Sequence, residues 1–128
     1  VKTAEARAIL PKKVDLQHAI QQWANVGSLV HALHTNNYDL LSQSLKDEIV
    51  EQYRSQLIPY FEDVKITATK AGGLGTGISG SGPSIFTLSK GEQIAKNVEK
   101  AIQNVYSETD ISFNTYVCKI NTEGIKII

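Results

Sequence analysis

The sequence predicts an α+β domain, an antiparallel sheet with helices packed on one face. Three observations carry that prediction. Two stretches, 15–34 and 92–105, repeat apolar residues at three- and four-residue steps, the period of an amphipathic helix. Six of the nine glycines lie between positions 72 and 82, and they run into the β-favouring Ser84-Ile85-Phe86-Thr87-Leu88. A second β-rich run, Phe113 to Ile120, is followed by the turn Asn121-Thr122-Glu123-Gly124 and a closing run Ile125 to Ile128.

In chain order, Val1 to Leu10 reads as the end of an extended segment and then a short helix. Thr3 is placed to cap it, Ala4 to Leu10 are good helix formers, and Pro11 stops it. Glu5 early and Arg7 later suit the helix dipole, so each has an ordinary structural role open to it. Asp15 caps the next helix. Leu16, Ala19, Ile20, Trp23, Gly27, Val30 and Leu33 form one broad apolar face, and Gly27 within it suggests that another backbone packs closely there. Asn36 or Asn37 opens a third helix, with Tyr38, Leu41 and Leu45 on its apolar side. Ile49 to Pro59 is a short helical or irregular connection that contains Arg54. Pro59 suits the first turn of the following helix, which buries Phe61, Val64, Ala68 and Ala71 and ends on Gly72.

After the glycines, Ser84 to Leu88 is a strand. Ile94, Ala95, Val98, Ala101, Ile102 and Val105 then mark a second clear amphipathic helix, and Phe113 to Ile120 and Ile125 to Ile128 pair as a hairpin. Hairpin, helix and hairpin following a helix-rich first half describe a layer of the ferredoxin type.

The glycine stretch Gly72-Gly73-Leu74-Gly75-Thr76-Gly77-Ile78-Ser79-Gly80-Ser81-Gly82-Pro83 needs a local reason, because glycine is costly to order. Gly75 to Gly80 fits G-x-G-x-x-G, but a strand follows where the dinucleotide-binding fingerprint needs a helix. No Gly-Lys-Ser/Thr occurs either, so the other phosphate-loop pattern fails. What remains is strand, glycine-rich turn, strand, with the turn at Gly80-Ser81-Gly82-Pro83. A plain hairpin turn with no ligand is the bland alternative; an anion-binding nest of backbone N–H groups is the functional one.

The 128 residues suit one domain, 1–128. Lys+Arg and Asp+Glu balance at 13 each, and there is no basic block. That composition argues against nucleic acid and against an anionic membrane surface as partners. The single Cys118 excludes an internal disulfide, fits a reducing cytoplasm, and sits where a buried or half-buried strand residue is expected. His18, His31 and His34 are not grouped with other ligands at metal-site spacing, so no metal site is assigned. The chain begins at Val1 and contains no methionine, which suggests a piece of a longer protein.

Three segments in this order, Lys2-Thr3-Ala4-Glu5-Ala6-Arg7-Ala8-Ile9-Leu10-Pro11, Tyr53-Arg54-Ser55-Gln56-Leu57-Ile58-Pro59 and Gly77-Ile78-Ser79-Gly80-Ser81-Gly82-Pro83-Ser84, resemble the homoserine kinases of the GHMP kinase superfamily. The glycine-serine stretch is similar to the superfamily's third motif. The resemblance covers the whole chain and implies its C-terminal domain, with the N-terminal ATP-binding domain absent from these residues and the first strand entered near its end. It implies ATP-dependent phosphorylation of L-homoserine, with ATP and Mg²⁺ bound mainly by that N-terminal domain. By the same resemblance Thr3 lies near the transferred phosphate, Arg7 and Arg54 hold the substrate carboxylate, and Gly80, Ser81 and Gly82 line the substrate site. Arginine's planar fork suits a carboxylate in a way lysine cannot match.

The partners so implied are homoserine, ATP and the N-terminal domain, and a face left uncovered leaves a homodimer open as well. Two other readings compete. One is another GHMP kinase with a different alcohol substrate, which the two arginines oppose. The other is a non-catalytic, amino-acid-binding module. Residues upstream of Val1 would separate them.

Overall fold

The computed structural model describes residues 2–125. Its elements run α1 (Thr3–Ala8), α2 (Leu16–Thr35), α3 (Tyr38–Ser44), α4 (Glu51–Arg54), a 3₁₀ turn (Ser55–Leu57), α5 (Phe61–Lys70), β1 (Gly75–Ile78), β2 (Ile85–Leu88) and α6 (Glu92–Ser107). β1 and β2 form an antiparallel hairpin in register from Gly75 opposite Leu88 to Ile78 opposite Ile85. The ladder extends at both ends, through Leu74 N–H to Leu88 O (2.8 Å) and Ser79 N–H to Ser84 O (2.8 Å). Inside it, the hydroxyls of buried Thr76 and its partner Thr87 lie 2.9 Å apart.

The core sits where α5 packs against β1 and α6. Phe61, Val64 and Ala68 of α5 are buried, as their spacing predicts, together with Val98 of α6. The end of α5 follows from Gly72. At φ +100° it takes a conformation costly for other residues, and the N–H groups of Ala71, Gly72 and Gly73 return to carbonyls of the last turn. Tyr106 of α6 is buried as well. Its hydroxyl donates to Pro59 O at 3.0 Å, and its ring meets Tyr60 edge-on and Phe113 at 5.5 Å. Pro59 itself lies just before α5, preceding Tyr60, rather than in its first turn.

α2 begins where Asp15 predicts, with its side chain accepting from Gln17 N–H at 2.8 Å. Asn37 caps α3 by accepting from Leu40 N–H, and Asn36 ends α2 in the left-handed region. The orientation of α2 differs from the expectation. Its inward flank carries Asn25, Ala32, Gln22 and Leu29, while Leu16 and Trp23 are 67% and 66% exposed, and Ile20, Val30 and Leu33 are exposed beside them. The inward flank is fixed by polar contacts. Asn25 Nδ2 donates to Lys46 O (3.2 Å), Gln21 Nε2 donates to Asn25 Oδ1 (3.0 Å), and Gln22 Oε1 accepts from Glu48 N–H (2.8 Å). These bonds satisfy backbone groups of the 46–48 loop that would otherwise be orphaned, and they decide which side of the helix faces in. Gly27 is correspondingly open, with nothing within 4 Å of where a Cβ would lie. The expected close backbone contact does not form among the described residues.

Three further expectations are corrected. The N-cap of α1 is Lys2, without a side-chain bond, and Thr3 is the first helical residue. The hydroxyl of Thr3 is thereby free to face Ser81. Residues 113–120 form no strand among the described residues. They run back along α6 instead: Phe113 lies against Tyr106, and Thr115 accepts from Gln103 Nε2 (2.7 Å) and donates to Glu99 Oε1 (2.8 Å). A two-sided alternation makes a strand only when a neighbouring edge is available to pair with. Cys118, in that segment, is exposed. The turn at 121–124 does form, with Asn121 Oδ1 accepting from Glu123 N–H at 3.0 Å and Gly124 at φ +73°. The closing run 126–128 lies outside the described residues.

Candidate functional site

The residues singled out in the sequence come from α1, α4 and the hairpin turn, and the structure brings most of them together. Arg54 ends α4, and its guanidinium bridges the other two elements. Nε donates to Ala6 O in α1 at 3.3 Å, and Nη1 donates to Gly80 O in the turn at 2.7 Å. Ala6 is fully buried, so its small side chain lets the arginine lie against the α1 backbone. Beside this fork, Thr3 Oγ1 and Ser81 Oγ lie 3.5 Å apart. Thr3, Ser81, Arg54 and Gly80 are thus one cluster, although Thr3 and Ser81 are 78 positions apart in the chain.

The turn itself is tightly specified. Gly82 N–H bonds to Ser79 O at 3.1 Å, and Gly80 and Gly82 take φ of +62° and +78°. A Cβ on Gly82 would lie 2.9 Å from Ile58 Cδ1 and 3.4 Å from Ile78 Cγ2. Ile58 is buried, so the turn is seated on the segment that follows Arg54. A Cβ on Gly80 would meet open space. The two glycines therefore do different work: Gly82 allows close approach, and Gly80 presents its carbonyl to Arg54.

Arg7 stands apart from this cluster. Its side chain is exposed on α1, and its guanidinium makes no hydrogen bond or ion pair with a described residue. It is adjacent in sequence to Ala6, whose carbonyl holds Arg54. Of the two guanidinium groups, only that of Arg54 is braced among the described residues.

A cleft of about 210 Å³ opens next to the cluster, with Arg54, Gly80, Asn25, Asp47 and Thr76 in its wall. Asp47 Oδ1 accepts from the N–H groups of Ile49 (2.9 Å) and Val50 (2.7 Å), ordering the approach to α4. Glu51 of α4 is paired with Lys65 of α5, which ties the helix bearing Arg54 to the core. Sequence reasoning missed Ala6, Ile58 and the Asn25 bracket. Each acts through a contact between distant segments, and no local pattern marks it. Among the described residues no group of three or more His, Cys, Asp or Glu is placed to hold a metal ion. No helix of the described residues is long and apolar enough to cross a membrane.

Comparison with known proteins bears on the family of the chain. The family model described as GHMP kinases C terminal matches residues 29–108. The chain is 41% identical over 130 residues to a homoserine kinase of Chlorobium phaeobacteroides (strain BS1), covering 100% of this chain and 41% of that protein. It is 42% identical over 130 residues to a homoserine kinase of Chlorobaculum tepidum, covering 100% of this chain and 40% of that one. A crystal structure of homoserine kinase from Cytophaga hutchinsonii superimposes with a TM-score of 0.85 at 47% identity, over 88% of this chain and 36% of that chain. The chain thus spans about two fifths of the length of the curated relatives it matches. With the helices around an antiparallel hairpin, the glycine-serine turn and the match over most of its length, the chain belongs to the GHMP kinase C-terminal family.

Proposed function

We propose that this chain is the acceptor-binding, C-terminal domain of a homoserine kinase. The enzyme transfers the γ-phosphate of ATP to the hydroxyl of L-homoserine and gives O-phospho-L-homoserine, a step toward threonine in the cytoplasm. The observation that carries the reading is the convergence of Arg54, Thr3 and the Gly80-Ser81-Gly82 turn from three separate segments. The names of the relatives support the choice of substrate.

In this reading Arg7 and Arg54 hold the carboxylate of homoserine. Arg54 is pre-oriented by two backbone carbonyls, so little rotamer freedom remains to be lost when a substrate binds. Arg7 is free and closes onto the carboxylate from the exposed side. The hydroxyl of Thr3, aimed across the cluster toward Ser81, lies near the transferred phosphate, and the glycine turn lines the acceptor site. Phosphoryl transfer depends chiefly on positioning and charge stabilisation, and this cluster supplies the positioning of the acceptor.

ATP and Mg²⁺ are another matter. The residues present do not fit a magnesium site, because no set of carboxylates among the described residues converges. The nucleotide and its metal are held mainly by an N-terminal domain beyond these 128 residues, and the 128-residue chain alone is inactive.

The test is steady-state kinetics on the full-length polypeptide carrying this chain. Arg7→Lys and Arg54→Lys each raise the KM for homoserine by about tenfold or more, since a charge-assisted hydrogen bond contributes roughly 1.5–3 kcal/mol. The KM for ATP changes little. An unchanged homoserine KM in both variants removes the arginines from the site. Micromolar MgATP binding or turnover by the 128-residue chain would overturn the division of labour.

A further inference from the structure

We propose that Lys65 holds the carboxylate of Glu51 away from Arg54, so that the arginine stays open to the carboxylate of a substrate. The inference rests on the reading of Arg54 as a carboxylate ligand and adds a positioning residue to it. Glu51 and Arg54 begin and end the one-turn helix α4. Residues three apart are neighbours on a helix surface, about 5–6 Å from Cβ to Cβ, and an acid N-terminal to a base is the favoured order for an ion pair. Both side chains line the same cleft. Left to itself this pair would close, and the acid would sit where the carboxylate of a substrate belongs. It does not close. Arg54 makes no ion pair with a carboxylate among the described residues, and its bonded N–H groups go to Ala6 O and Gly80 O.

Lys65 supplies the reason. Its ammonium, on α5, donates to Glu51 Oε1. The same ammonium lies 5.9 Å from the centre of the Phe61 ring, and Phe61 is buried, so the cation is fixed over the core. The Glu51 side chain is only 12% exposed. A carboxylate so enclosed needs a cation, because an unpaired charge there is costly. Two other cations line the cleft: Lys46, exposed in the loop ahead of α4, and Arg54, one turn along the same helix. With Lys65 removed, Arg54 is the cation that shares a helix face with Glu51. The N–H groups of Arg54 that Ala6 and Gly80 leave unused are the ones a substrate carboxylate needs. The second acid in the cleft wall, Asp47, is likewise engaged, by the N–H groups of Ile49 and Val50. The cleft thus keeps its own carboxylates occupied and leaves the guanidinium to an incoming one.

Steady-state kinetics on the full-length polypeptide test this. In Lys65→Met the freed Glu51 pairs with Arg54 and competes with homoserine. If Arg54 is so occupied about four-fifths of the time, the homoserine KM rises about fivefold. Saturating homoserine displaces the internal acid, so kcat and the KM for ATP change little. Lys65→Arg keeps a cation on Glu51 and with it the parent KM. Lys65→Met combined with Glu51→Gln recovers most of the lost affinity, because an amide brings no charge to Arg54. A mere tie between α4 and α5 predicts the opposite, since the double variant has lost that tie as completely as the single one. Where Lys65→Met fails to fold by circular dichroism, Lys65→Gln takes its place, with the same rescue by Glu51→Gln. An unchanged homoserine KM at Lys65, a fall in kcat in place of a rise in KM, or a double variant no better than the single one overturns the proposal. Arg54→Lys separates the two claims. A raised homoserine KM there, with no effect at Lys65, refutes the role of Lys65 alone. An unchanged KM in Arg54→Lys removes the carboxylate reading of Arg54 and the role of Lys65 with it.

Discussion

Replacing Gly82 by alanine puts a methyl group where the turn has no room for one. Its φ of +78° belongs to the left-handed side of the map, which disfavours an L-residue by about 1–2 kcal/mol. The new Cβ also lies 2.9 Å from Ile58 Cδ1, and Ile58 is buried, so overpacking adds about 1–3 kcal/mol. The loss of unfolded-chain entropy on going from glycine to alanine returns about 0.4–1 kcal/mol. The net expectation is a destabilisation of about 2–4 kcal/mol. Gly80→Ala shares the backbone term, with φ +62°, but meets nothing within 4 Å, so its net cost is about 1 kcal/mol. Urea unfolding of the two variants reads the difference. With a slope of about 1–3 kcal/mol per molar urea, their midpoints separate by about 1 M. Ile58→Val removes the offending Cδ1, so the Gly82→Ala and Ile58→Val double variant is less destabilised than the sum of its parts. Equal midpoints for Gly80→Ala and Gly82→Ala, or strict additivity with Ile58→Val, would refute the packing argument.

Asp15→Ala removes the side-chain bond that caps the N-terminus of α2 and lowers stability by about 1 kcal/mol, a fall of about 3–5 °C in Tm for a chain of this size; Asp15→Asn, measured alongside by calorimetry, stays close to the parent. Burial raises the Tyr106 phenol above its ordinary value of 10.0, which means that the fold favours the neutral form. Below pH 10 both states keep the proton and nothing is lost. As pH rises through 10 the unfolded chain ionises first, so stability falls until the folded phenol ionises too. Tyr106→Phe makes this alkaline limb shallower in urea midpoints taken from pH 8 to 11, while lowering the plateau by about 1 kcal/mol through the lost bond to Pro59 O.

The elements that could be read from the sequence are those whose determinants are local. Asp15 and Asn37 accept from N–H groups two and three positions on, and Gly72 closes α5 within its own turn. The hairpin followed from glycines flanking β-favouring residues. The orientation of α2 was not readable, because periodicity shows which residues share a face and not what that face meets. Its inward side was decided by Asn25 and Gln22 bonding to a loop more than twenty positions away. The run 113–120 has the composition of a strand, but Thr115 and Phe113 found partners on α6 rather than on a sheet edge. At the site, the resemblance to the homoserine kinases named Thr3, Arg7, Arg54 and the glycine turn, and the structure gathers all but Arg7 into one cluster. The brace on Arg54 spans 48 residues to Ala6 and 26 to Gly80, and such pairings emerge only once the chain is folded.

The shortness of α1 has a thermodynamic consequence. Six residues are too few to hold a helix by themselves, since isolated helices below about 12–15 residues are marginal in water. What keeps α1 in place is the Arg54 fork on Ala6 O and the proximity of Thr3 to Ser81. Order in α1 and integrity of the cluster are therefore a single equilibrium, and whatever seats in the cluster shifts it. A ligand at a hundredfold excess over its Kd adds about 2.7 kcal/mol to the closed state. The amide protons of Ala6 and Ile9, bonded to Lys2 O and Glu5 O, are where that linkage registers. Their exchange with solvent slows as the site fills, so the first helix of the chain acts as its occupancy gauge.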